Sequence, residues 1–143
     1  MLSEVLTRKR MMRMKSAHNW KEAINFASTP LIDDSSIKAQ YVNEMIDSIE
    51  KFGPYVVVDD YIAIPHAISK NNVIKESMSL LFLEEAVDFK GKDVKLIIVL
   101  APVDRTKHLM DLSELSELLM DEKNKKIFLS GNLDAINLLI KEG

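Results

Sequence analysis

Apolar positions along the chain alternate between helical and strand spacing, and the changes of period divide it into elements. In "NWKEAINFASTPLI", Trp20, Ala23, Ile24 and Ala27 recur at helical intervals. Asn19 is placed to cap that helix, and Pro30 to end or bend it. A second helix is expected over "SSIKAQYVNEMIDSIEKFG", with Ile37, Tyr41, Met45, Ile49 and Phe52 on one face, a serine cap and Gly53 as the stop. Residues 10–16 predict a short first strand, and "PYVVV" and "YIAI" predict two more, divided by Asp59 and Asp60. "SMSLLFLEEAVDF" and "VKLIIVLAPV" read as longer strands. The latter is apolar on both faces, as a central strand is. Helical spacing then returns. "HLMDLSELSELLMD" carries Leu109, Leu112, Leu115, Leu118 and Leu119, with Asp104 or Thr106 to cap it, and "NKKIFLSG" and "LDAINLLIKEG" form two short helices. Strands clustered centrally between helices predict an α+β fold, a mixed sheet covered on both faces.

Composition narrows the function classes. At 143 residues, with few glycines and prolines and no low-complexity linker, the whole of 1–143 is expected to be one domain. A net charge of −3 argues against nucleic acid as the main partner. The basic run "TRKRMMRMK" is read as a solvated edge strand or arm. Without cysteine there is no disulfide, thiolate nucleophile or Cys-based zinc site. No apolar stretch reaches the ~20 residues that span a bilayer, and charges interrupt the N-terminus too early for a signal peptide. The expected location is therefore cytoplasmic, without direct membrane insertion.

Candidate chemistry centres on two of the three histidines. In "YIAIPHAISK", Pro65 holds Ile64 extended and ends the strand. Alternation then sets Ile62, Ile64 and His66 on one face. A stiffly mounted neutral imidazole suits a nucleophile, yet local pattern alone favours a buried, hydrogen-bonded structural histidine. His108 alters that balance. It lies at the start of a helix behind the central strand, where free N–H groups and the dipole attract anions, and Arg105 and Lys107 add charge or point into solvent. If the sheet brings the two together, one imidazole can accept a phosphoryl group and the other can hydrogen-bond its oxygens. Asp104, His108 and Asp111 have helical ligand spacing, but no further ligand supports a metal, so none is expected. No G-x-S-x-G elbow, P-loop or dinucleotide fingerprint occurs, and no cofactor is implied. His18 reads as a surface residue and the methionines as core filler.

Taken in order, Trp20-x-Glu22-Ala23, Tyr41, Gly53-Pro54-Tyr55, "IAIPHA", Val103-Asp104, His108 and the leucine-rich helix resemble the IIA component of the bacterial phosphoenolpyruvate-dependent sugar phosphotransferase system (PTS). The likeness spans nearly the whole chain and is to the mannitol/fructose branch (EIIA type 2), most of all its ascorbate-type members. It implies a three-layer α/β/α sandwich on a mixed sheet. It implies a phosphotransferase in which His66 accepts a phosphoryl group from phospho-HPr and passes it to a IIB component, whose acceptor in this branch is a cysteine. His108 would stand beside the phosphoryl group. The IIC permease would be a separate chain, reached only indirectly, and the sugar would be ascorbate or a related one. An apolar rim of Ile62, Ile64, Ala67 and Ile68 would dock both partners. A regulatory module, phosphorylated but read by a protein target, is the alternative. Two departures flank the active segment: Ile68-Ser69-Lys70 replaces an Arg-Pro-acidic run, and Asp60-Tyr61 replaces Pro-Gly. They bear on partner and sugar rather than on the chemistry.

Overall fold

The computed structural model describes residues 2–142. Its sheet has five strands in the order β1-β4-β5-β3-β2, comprising β1 (Met11–Met14), β2 (Val57–Asp59), β3 (Tyr61–Ala63), β4 (Ser77–Phe89) and β5 (Lys92–Ala101). β1 runs parallel to β4 and β3 parallel to β5, whereas the β4–β5 and β2–β3 pairs are antiparallel, so the sheet is mixed. β5 lies at the centre, as its two apolar faces require. Leu96, Ile98 and Leu100 face one core and Ile97, Val99 and Ala101 the other. Lys90 and Gly91, with φ of 53° and 100°, close the β4–β5 hairpin in the left-handed geometry that such turns need.

Helices α2 (Trp20–Asp33) and α3 (Gln40–Phe52) cover one face. Helices α1 (Leu2–Val5), α4 (Arg105–Met120), α5 (Glu122–Leu129) and α6 (Leu133–Glu142) cover the other. The result is the expected three-layer α/β/α arrangement. Asn19 caps α2, accepting from the Glu22 amide at 2.9 Å, while the Glu22 carboxylate accepts from His18 N at 2.9 Å. Pro30 does not end this helix. The buried residues Ala27 and Leu31 hold the segment against the sheet on either side of the proline, and the helix continues to Asp33.

The second helix stops at Gly53 as expected, but it differs at its start and in the burial of Phe52. It starts at Gln40, with Ala39 before it and no side-chain cap, because the serine meant for that task is used elsewhere. Ser36 is buried; its hydroxyl takes a bond from Arg10 and gives one to Asp34, its carbonyl accepts from Ile74, and Ile37 bridges Val73. Phe52, expected on the apolar face, is 67% exposed. The basic run forms edge strand β1 and the turn before it. Its arginines pair with acids of this chain: Arg8 with Asp134, Arg10 with Asp34 and Arg13 with Glu84. No helix among the described residues is long and apolar enough to cross a membrane.

Candidate functional site

Because β3 and β5 are parallel, their C-terminal ends emerge at the same rim of the sheet. Chain leaving β3 carries Pro65 and His66; chain leaving β5 enters α4, which carries His108. Their rings meet at this rim, with centroids 5.0 Å apart and planes tilted by 50°. The two histidines singled out in the sequence, 42 positions apart by number (108 − 66), are thus neighbours in space. His18 is elsewhere, with a side chain 90% exposed beside Glu22.

His66 is half-buried, and its orientation is set by its own strand. Nδ1 lies 2.7 Å from the carbonyl oxygen of Ile64. A carbonyl can only accept, so Nδ1 carries the proton and the Nε2 lone pair is left available. Burial holds the imidazole pKa below its usual value, partly offset by the Ile64 carbonyl, and proximity to His108 lowers it further. The ring is therefore neutral near pH 7.

Flanking backbone is pinned on each side. The Leu100 amide donates to the Pro65 carbonyl at 3.0 Å, which ties the segment to the end of β5. The Ala67 amide donates to the Tyr41 hydroxyl at 3.1 Å, and that hydroxyl donates to the Leu100 carbonyl at 2.7 Å. Tyr55 reaches the His66 carbonyl through its hydroxyl at 3.2 Å, contacts Ser48 at 2.8 Å, and sets its ring edge-on to the imidazole at 5.7 Å. Further along, Ser69 and the Asn72 side chain both donate to Glu44, each at 2.7 Å.

Helix α4 begins where expected. Asp104 is its cap, accepting from the Lys107 amide at 2.8 Å, and the His108 amide closes onto the Asp104 carbonyl at 3.0 Å. Asp104 is thereby occupied at the helix start. Asp111 turns into the interior, where burial and then Glu114 push its carboxyl up to about 6. No group of three or more potential ligand side chains suited to a metal ion occurs among the described residues.

The histidines line a cleft of about 960 Å³ between α3 and the start of α4. Its apolar rim is only in part the one expected. Ile62 and Ile64 are core residues, 0% and 1% exposed, because that face of β3 packs under α4–α6. Of the expected rim, Ala67 and Ile68 do line the cleft, and Phe52, Tyr55, Val103 and Leu109 add the rest of the exposed apolar surface beside His66. Arg105 lines the cleft as well, and Lys107 does not. Tyr41 and Tyr55 support the site in ways the spacing of apolar residues could not indicate. Their only signal was membership of the ordered motif, Tyr41 and then Gly53-Pro54-Tyr55.

The family model for "Phosphoenolpyruvate-dependent sugar phosphotransferase system, EIIA 2" matches residues 4–143. The mannitol-specific cryptic phosphotransferase enzyme IIA component of Escherichia coli K12 is 38% identical over 110 residues, 76% of this chain and 75% of that protein. The ascorbate-specific PTS EIIA component of the same strain is 28% identical over 128 residues, 86% of this chain and 83% of that protein. Among solved structures, that of an E. coli mannitol-specific cryptic enzyme IIA superposes with a TM-score of 0.90 at 32% identity, covering 99% of both chains. The IIA of an E. coli mannitol IIA complex with phosphorylated IIB shares the fold, with a TM-score of 0.80 at 22% identity over 97% of this chain and 100% of that one.

Proposed function

Since the chain belongs to the EIIA type-2 family of the phosphoenolpyruvate-dependent sugar phosphotransferase system, we propose that it carries a phosphoryl group on His66 between phospho-HPr and a IIB component. The observation that carries this reading is the pairing of a neutral His66, its Nδ1 proton held by Ile64, with His108 in an apolar-rimmed cleft. Nε2 attacks the phosphorus of the donor phosphohistidine in line. The new Nε2–P bond forms as the donor N–P bond breaks, and the donor imidazole leaves with the electron pair. Charge that develops on the His66 ring is stabilised through Nδ1–H by the Ile64 carbonyl. The His108 ring and the Arg105 and Thr106 amides at the start of α4, which Asp104 does not take up, bind the phosphoryl oxygens. In the second transfer the IIB nucleophile attacks phosphorus, and Nε2 departs with its lone pair restored.

Phe52, Tyr55, Ile68, Val103 and Leu109 form the surface on which each partner docks in turn. That the mannitol IIA of Escherichia coli forms a complex with phosphorylated IIB is in keeping with a IIB as one of the partners. Such a carrier works in the cytoplasm, feeding a membrane permease through IIB. Relatives in both the mannitol and ascorbate branches favour a sugar or sugar acid of that kind.

Incubation with phosphoenolpyruvate, enzyme I and HPr should add one phosphoryl group to the protein by mass, and His66→Ala should abolish the gain. No gain, or a gain that persists in the variant, would overturn the assignment. His108→Ala should slow transfer by roughly 10²-fold with the fold intact, the scale of losing one oxyanion-type donor. Discharge of the phosphorylated protein by a IIB from the same cell separates carrier from regulator, since a regulatory module would keep its phosphoryl group.

A further inference from the structure

The Tyr41 side chain is wholly buried against the α2–α3 core, yet its hydroxyl reaches the rim of the sheet and serves two elements at once. It accepts from Ala67 N, next to His66, at 3.1 Å and donates to Leu100 O at 2.7 Å. A second approach to the Ala67 carbonyl, at 3.3 Å, is longer. Leu100 is near the end of β5, from which Ala101 to Asp104 lead into α4 and His108. The same Leu100 sends its amide to Pro65 O at 3.0 Å, so its amide is tied to the His66 segment directly and its carbonyl through the Tyr41 hydroxyl. One phenolic oxygen therefore bridges the chain carrying His66 and the chain carrying His108. It hydrogen-bonds to neither imidazole.

Tyr55 completes the arrangement from the solvent side, its hydroxyl on the His66 carbonyl at 3.2 Å. Burial raises the Tyr41 phenol far above its usual range, so the hydroxyl keeps its proton and remains a donor. A phenol buried this deeply is costly unless its hydrogen bonds are made, and here they are made to backbone at the site.

We propose that Tyr41 is a positioning residue for phosphoryl transfer, its hydroxyl setting the register of the His66 segment against the start of α4 so that Nδ1–H stays on Ile64 and Nε2 faces His108. This rests on the reading of His66 as the phosphoryl acceptor. Positioning errors of the order of 1 Å cost up to about 10²-fold in rate, so the loss of this bridge is measurable without loss of the fold.

The test is Tyr41→Phe, which removes one oxygen and leaves the ring. Phosphorylation by phospho-HPr should show a maximal rate lowered about tenfold or more, with the donor concentration for half-maximal rate unchanged. Nitrogen-15 spectra of His66 should show the Nε2–H tautomer gaining population where the Nδ1–H form dominates in the parent protein. A folded variant with the parent's maximal rate and tautomer ratio overturns the proposal, whatever its melting temperature. Should Tyr41→Phe fail to fold, 3-fluorotyrosine at position 41 keeps ring and hydroxyl while weakening acceptance from Ala67. The Ala67 amide resonance and the His66 tautomer ratio should then shift together, and an unshifted ratio overturns the proposal. Because the tautomer measurement needs no phosphoryl donor, failure of the parent protein to be phosphorylated would remove the carrier reading separately.

Discussion

Three influences act on the charge of His66, and they do not balance. Burial disfavours the imidazolium most, the Ile64 carbonyl favours it, and His108 at 5.0 Å between ring centroids opposes it again. The folded-state pKa is therefore below that of the unfolded chain. Neutral His66 contributes stability that is present above the ordinary histidine value of about 6.5 and is lost as pH falls through the folded value. The same sign applies to His66 in its proposed role as nucleophile. Phosphoryl acceptance should be full at pH 8 and fall as the pH is lowered, with a midpoint below that of a free histidine. Rates measured from pH 5 to 8, beside the titration of the His66 resonances, check this; a midpoint above the free value would contradict the burial argument. Sequence revealed that a histidine stood behind a proline. It could not reveal the sign of this shift, which depends on how much protein surrounds the ring.

Among the elements, the helices that declared themselves most clearly have local start signals. Asp104 and Asn19 were both legible as caps because capping is settled within three or four residues. The serine before α3 misled for the same reason: a cap-like residue was visible, but its long-range partners Arg10 and Ile74 were not. Asp104 also matters to the site, since it organises the turn that ends on His108. Asp104→Ala should lower stability by about 1 kcal/mol, the usual value of a helix cap, and should fray that turn. Transfer should slow, while amide protection in β4 and β5 stays unchanged. Equal loss of protection in the central strands would instead mark a global defect.

Across the whole molecule, strand order decides which residues become surface. Ile62 and Ile64 share a face with His66 in the alternation, and sequence alone made them a docking rim. With β3 between β5 and β2, and α4–α6 packed on that face, both are core. Ile68 stands beyond the end of the strand and is 80% exposed at the cleft. Ile68→Ser should therefore change stability by no more than about 0.5 kcal/mol, as for most surface substitutions, while weakening association with a phosphoryl partner. Titration of the partner against parent and variant measures the difference, and equal affinities would remove Ile68 from the docking surface. The loop behind it is braced by Ser69 and Asn72 on Glu44, so the departure at Ile68-Ser69-Lys70 is presented by a held backbone.

What the sequence determined by itself is whatever depends on neighbours along the chain: the periods of α2, α3 and α4, the two-faced apolarity of β5, the proline that ends β3, and the ordered motif that marks the family. The tertiary structure decided the rest. Parallel pairing of β3 with β5 brought His66 to His108, packing of α4–α6 withdrew Ile62 and Ile64 from the surface, and the fold carried the Tyr41 hydroxyl to Ala67 and Leu100. The physical reason is one of range. Caps, turns and periodicity are settled within a few residues, whereas burial, pKa and juxtaposition depend on groups that only strand order and layer packing bring together.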